Sequence, residues 1–109
     1  MQVVLRFEAG AEFLSEAHDV LALLATRPGF LGGQVARAYD EPERWCLLTE
    51  WESVGAYRRA LGSYEVKVGA TGLLSRAVPE ASAYETLVTA DADGQMARRD
   101  SDRWIPSRP

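Results

Sequence analysis

Four side chains in this sequence of 109 residues have chemistry suited to a small aromatic molecule. They are His18 and the rings of Trp51, Tyr57 and Tyr84. His18 is the only histidine, and an imidazole with a pKa near 6.5 is a candidate general base around neutral pH. Its place at the edge of an apolar helical arc also suits a boundary residue whose ring packs while one nitrogen meets solvent. The three aromatic rings suit either the walls of a pocket or the filling of a core, with the tyrosine hydroxyls reaching water. Cys46 is the only cysteine and sits inside an apolar run, so a buried thiol is expected and no intramolecular disulfide can form. One histidine and one cysteine do not make a strong transition-metal site. The stretch Glu8-Ala9-Gly10 after the first strand is no glycine-rich phosphate loop. No metal or cofactor is expected.

Composition narrows the class. The chain is 47% hydrophobic, enough for one core, and a domain of this size gains from covering an apolar sheet face with a second copy. A net charge of −4 from 16 acidic and 12 basic residues, scattered without a basic block, argues against nucleic acid as a partner. No apolar run approaches the ~20 residues that span a bilayer, and the first residues begin a strand rather than a signal segment. A soluble, cytoplasmic protein without a membrane partner is the expectation.

These groups must be positioned by the elements that the residue pattern predicts. Residues 2–8 (QVVLRFE) read as a strand that Gly10 ends. From Ala11 to Thr26 the residues Phe13, Leu14, Ala17, Val20, Leu21, Leu24 and Ala25 share one arc at helical spacing, until Pro28 and Gly29 stop it. Residues 31–40 and 45–52 read as a hairpin around Glu41-Pro42-Glu43-Arg44. Ser53 offers an N-cap for a second helix, and another helical piece is expected from Tyr64 to Arg76. A last strand is expected over 80–90, after Pro79. The division is a domain over 1–90 and a polar, aperiodic tail over 91–109, unless Trp104 and Ile105 dock. The order β, α, β, β, α(α), β predicts a ferredoxin-like split βαβ fold. It is an α+β architecture with helices on one face of a four-stranded antiparallel sheet, in strand order four, one, three, two.

Side chains alternate between sheet faces, and a symmetric turn pairs Asp40 with Trp45. The helix side then carries Val3, Leu5, Phe7, Ala36, Ala38, Trp45, Leu47, Thr49, Trp51, Tyr84, Thr86 and Val88. The other face carries Val4, Arg6, Val35, Arg37, Tyr39, Cys46, Leu48, Glu50, Ala83, Glu85 and Leu87. Small residues at 36 and 38 beside large aromatics predict a helix-side hollow lined by Trp51, Tyr57 and Tyr84. On the other face, Arg6 is expected between Glu50 and Glu85, where a guanidinium would compensate two carboxylates.

The stretch RPGFLGGQVARAYDEPERWCLLTEWESVGAYRRAL, a following helix and PEASAYETL together resemble the antibiotic biosynthesis monooxygenase family of the dimeric α+β barrel superfamily. The resemblance spans about residues 2–90. It rests mainly on the RPGF entry to the second strand and the TEWES exit from the third. It implies a homodimer with two sheets face to face and a pocket between each sheet and its helices. Haem-degrading members share an asparagine, a tryptophan and a histidine ligand, and the equivalent places here hold Arg6 or Phe7, Ala60 and Ala70. That branch is therefore disfavoured. The implied activity is cofactor-independent monooxygenation of a small aromatic, phenolic or quinone-type metabolite, with His18 as base and Trp51, Tyr57 and Tyr84 holding substrate. The alternatives are a non-catalytic ligand-binding dimer of the same fold and a small-metabolite isomerase.

Overall fold

A computed structural model describes residues 1–101; Trp104 and Ile105 lie outside them, as does the end of the expected tail. The main sheet has the order β2-β3-β1-β4, with β1 over Gln2–Glu8, β2 over Phe30–Arg37, β3 over Arg44–Trp51 and β4 over Ala83–Tyr84. All its pairings are antiparallel, and the strand order is that of the ferredoxin-like α+β fold the sequence predicts. Helices α1 (Phe13–Leu24), α2 (Val54–Gly62), α3 (Tyr64–Gly69) and α4 (Thr71–Leu74) supply the second layer. No helix among the described residues is long and apolar enough to cross a membrane.

The buried stripe of α1 is Phe13, Ala17, Val20 and Leu24, a spacing of alternating fours and threes that keeps one side of the helix against the sheet. Phe13 stands between Phe7 and Trp45, with ring centroids 4.8 and 5.4 Å away. After α1 the chain reverses at Gly29, whose φ of +88° favours glycine and where a Cβ would lie 2.5 Å from that of Ala56. Helix α2 starts as expected, with the Ser53 hydroxyl accepting from the Ala56 N–H at 3.0 Å. Ser63 closes α2 by donating to the Ala60 carbonyl and opens α3 by accepting from the Val66 N–H. The expected helix from 64 to 76 is two short ones, parted at Ala70.

The hairpin register differs from the symmetric-turn expectation. Trp45 faces Arg37 rather than Asp40, because β2 ends earlier and the connection is longer. Ala38 N–H bonds the Arg44 carbonyl at its base, and Arg44 N–H bonds Glu41 within it. A displacement of three residues is odd, so it exchanges the faces of β2. Val35 and Arg37 lie on the helix side, where the Arg37 guanidinium stacks on Trp45 at 4.7 Å, while Ala36 stands opposite Cys46 on the open face.

The last strand is also corrected. Val78 N–H bonds the Arg6 carbonyl and Val4 N–H bonds that of Ser82, so the chain runs beside β1, interrupted at Pro79, which has no N–H to give. Ala83 and Tyr84 pair with Val3 and Gln2, which puts Tyr84 on the open face and Ala83 on the helix side. Beyond Tyr84, β1 has no residues left to pair with. The chain instead forms a separate ribbon of β5 (Val88–Ala90) and β6 (Met96–Arg98). Val88 thus belongs to the ribbon, and residues 96–98, expected within an aperiodic tail, form a strand.

Candidate functional site

Strand β3 ends in two buried side chains on the same face, Thr49 and Trp51. Trp51 is fully buried, and its indole N–H donates to the Thr49 hydroxyl at 2.9 Å. This bond satisfies the one polar atom of the ring and turns its faces to other aromatics. Tyr57, one turn into α2, meets Trp51 at 5.6 Å between centroids, and Phe30, at the start of β2, stands edge-on to it at 5.3 Å. Phe30 reaches this side because the register shifts between Phe30 and Gly32. Leu31 is the extra residue of the bulge, and Phe30 therefore shares the face of Trp51, its partner. Gly33 keeps the passage beside them tight, since a Cβ there would lie 2.8 Å from Leu21 and 3.2 Å from the Phe30 ring.

Tyr57 and Phe30 are half-buried, so each shows one edge to solvent and one to Trp51. Burial raises the phenol pKa of Tyr57 above its ordinary value, which keeps the O–H intact through neutral and mildly alkaline pH. That hydroxyl has no hydrogen-bond partner among the described residues. The result is an aromatic wall whose one O–H, that of Tyr57, reaches the solvent side.

Of the residues expected at the site, the structure brings Trp51 and Tyr57 together and leaves the other two apart. The His18 side chain is 78% exposed and bonds Asp19 of its own turn at 3.1 Å. The true apolar stripe of α1 turns residue 18 outward, so His18 is not positioned to act as a base at this wall. Tyr84 is half-exposed on the opposite face of the sheet, its hydroxyl bonding the Ala81 carbonyl at 3.0 Å. Phe30 and Thr49 complete the wall without having been singled out from the sequence. A threonine two residues before a tryptophan in an apolar strand was the available sign for Thr49. The bulge that recruits Phe30 left none.

The hollow expected on the helix side, lined by Trp51, Tyr57 and Tyr84, is not what the small residues at 36 and 38 make: the cleft beside them lies on the open face and none of those three rings lines it. Rows Arg6–Cys46–Ala36 and Glu8–Arg44–Ala38 cross three strands there. Where their members are small, a cleft of 380 Å³ opens over Ala36, Ala38 and Cys46, bounded by Val78. Two ion pairs wall it, Arg6–Glu80 at 3.0 Å and Arg44–Glu8 at 3.4 Å. Arg6 therefore does not bridge Glu50 and Glu85. Glu50 faces Gln2, roughly 13 Å from Arg6 along β1 at about 3.3 Å per residue, and Glu85 accepts from the Ser101 hydroxyl. Glu80's hydrogen bond and then its charge push the Arg6 pKa further up. Among the described residues no group of three or more His, Cys, Asp or Glu is placed to hold a metal ion.

The sequence profile described as antibiotic biosynthesis monooxygenase matches residues 3–71. Among solved structures, SnoaB from Streptomyces nogalater, a cofactor-independent oxygenase, is 30% identical with a TM-score of 0.64, over 79% of this chain and 94% of that one. An asparagine-to-alanine mutant of SnoaB aligns at 23% identity and a TM-score of 0.63, over 97% and 96% of the two chains. A conserved protein from Methanosarcina mazei shares the fold at 21% identity and a TM-score of 0.54, over 75% and 84%. No curated protein of similar sequence is found.

Proposed function

The chain belongs to the antibiotic biosynthesis monooxygenase family, and from that premise we propose that it oxidises a small phenolic or quinone-type metabolite with molecular oxygen and no cofactor. The reading rests on one observation above all: the unpartnered Tyr57 hydroxyl beside the buried Trp51 ring. It is supported by 30% identity to a cofactor-independent oxygenase over most of both chains. In such a reaction the substrate supplies all four electrons that reduce O2. A phenol loses its proton, a ring carbon carrying hydrogen bonds one oxygen atom and becomes a carbonyl, and the second oxygen leaves as water with two hydrogens of the substrate. Phenol plus O2 then balances as quinone plus water. The protein's share is to hold a flat ring against the exposed edges of Phe30 and Tyr57, which the buried Trp51 backs, to exclude water, and to offer the Tyr57 O–H to the oxygen that gains charge.

We further propose that the working form is a homodimer through the open sheet face. Val4 and Leu48 lie there half-buried with no helix over them, and apolar surface of this kind is usually covered. The experiment on function is oxygen uptake by purified protein with a panel of phenols, in the presence of a chelator and without added flavin or haem. Uptake matched by quinone formation is expected, and binding of phenols with no uptake above the protein-free rate would overturn the oxygenase reading.

A second reading, a non-catalytic ligand-binding protein, is favoured by the 380 Å³ cleft on the face away from Trp51 and Tyr57. It also fits the absence of any asparagine from this chain, so that no identical residue can stand where the SnoaB mutant was changed. Under that reading Ala36→Trp abolishes binding and Tyr57→Phe does not. Under the oxygenase reading Tyr57→Phe lowers turnover and Ala36→Trp leaves it unchanged.

A further inference from the structure

The 380 Å³ cleft on the open face takes no part in the oxygenase reading, since Trp51 and Tyr57 lie on the other side of the sheet. Its size falls within the roughly 300–1,000 Å³ of small-molecule sites. The floor is apolar, because Ala36 stands opposite Cys46 and Ala38 follows two residues on, bonded to the Arg44 carbonyl. Side chains opposed across two strands normally meet. Here they are too short to close the space, and Val78 bounds it on the β4 side.

The charges around this floor are ordered by the topology. The sheet runs β2-β3-β1-β4, with Ala36 on β2 and Ala38 just past its end, Arg44 on β3, Arg6 and Glu8 on β1, and Glu80 beside β1 on the β4 side. In both ion pairs, Arg6–Glu80 and Arg44–Glu8, the arginine therefore arises one strand, about 4.8 Å, nearer to the alanines than its carboxylate partner does. Glu41, the other partner of Arg44, lies in the connection and does not line the cleft. Arg6 gives one N–H to Glu80, and a guanidinium has five N–H donors. The small-residue end of the cleft thus meets cations first and retains donors to spend.

We propose that this cleft binds a small carboxylic acid, its apolar body over Ala36, Ala38 and Cys46 and its carboxylate between the guanidiniums of Arg6 and Arg44. Planar guanidiniums match a carboxylate in geometry and charge. Glu80 and Glu8 stand behind them, so neither cation is left unpaired without the ligand. The site goes beyond the oxygenase reading and holds whether or not the wall on the opposite face is catalytic. A second copy on the open face would roof the cleft, which links binding to assembly.

The test is equilibrium dialysis of the full chain against naphthoate, with the neutral naphthamide as control, over a range of protein concentrations whose assembly is read by sedimentation. Saturable binding of naphthoate is expected, at least tenfold tighter than that of the amide. Ala36→Trp, which fills the cleft, and the double variant Arg6→Met/Arg44→Met, which removes its cations, should each weaken it at least tenfold. Both arginines are about half exposed, so the double variant keeps the fold even where Ala36→Trp disturbs it, and far-ultraviolet circular dichroism checks each. Equal binding of naphthoate and naphthamide, binding that ignores both variants, or no binding at any protein concentration would overturn the site. Oxygen uptake with phenols, followed on the same proteins, separates the two readings: its absence from the wild type overturns the oxygenase alone, and its loss in the double variant with the fold intact would overturn the independence of the cleft.

Discussion

The indole N–H of Trp51 is held by the hydroxyl of Thr49, two residues earlier on the same face of β3. A fully buried ring has no water to turn to, so its orientation depends on this one acceptor. Thr49→Val keeps the shape and leaves the N–H unpaired, which costs about 1–3 kcal/mol. Thr49→Ser should restore most of it. Urea denaturation of the three proteins checks the order, and equal midpoints for valine and threonine would show that the bond contributes nothing.

Tyr57 makes stability depend on alkaline pH. Its folded pKa is raised by burial, so the folded state favours the neutral phenol. Stability is fully present below the unfolded value near 10 and falls as pH rises from there through the folded value. Tyr57→Phe lacks this loss. The difference in urea midpoint between the two proteins should therefore be flat from pH 7 to 9 and shift towards the variant by pH 11, and a difference constant throughout would contradict it. At neutral pH the same variant should lower kcat on the order of 100-fold if its O–H meets developing charge.

His18→Ala should leave both turnover and the melting temperature unchanged. The side chain projects into solvent and its one hydrogen bond among the described residues is to Asp19, so neither the wall nor the core depends on it. A large drop in turnover with the fold intact would return His18 to the chemistry and require α1 to rotate in the working state.

Gly29→Ala should destabilise by about 2 kcal/mol or more. The left-handed backbone alone costs an alanine roughly 1–2 kcal/mol, and the new methyl would press on Ala56. Differential scanning calorimetry will show it, and a melting temperature within a degree of wild type would mean that the turn relaxes freely.

Sequence alone carried the elements and their order further than it carried the faces. The α1 stripe, the Ser53 cap and the strand order follow from period, turn chemistry and short connections, all of which are local. Register is different, because it is decided where two strands meet. Counting from the turn put Trp45 against Asp40, and the longer connection puts it against Arg37, which was enough to move Ala36 to the far face. Likewise Tyr84 followed from treating 80–90 as one strand, whereas Pro79 and the start of β1 leave only two residues paired. That Trp51 and Tyr57 lie side by side was legible because strand parity and helix phase agree on them. Of the two readings of His18, the exposed position fits the boundary residue, and Leu14 of the same expected arc is itself exposed.

The bulge at Leu31 has a consequence at the level of the gene. Leu31 is the surplus residue between Phe30 and Gly32, which face Trp51 and Glu50. Loss of that single codon would place Phe30 directly before Gly32, still opposite Trp51, and turn the bulge into regular pairing. The third ring beside Trp51 can therefore outlast an in-frame deletion of its own neighbour. Comparing Leu31-deleted and wild-type protein by near-ultraviolet circular dichroism checks this, with the aromatic signal expected to persist and its loss showing that the bulge is needed.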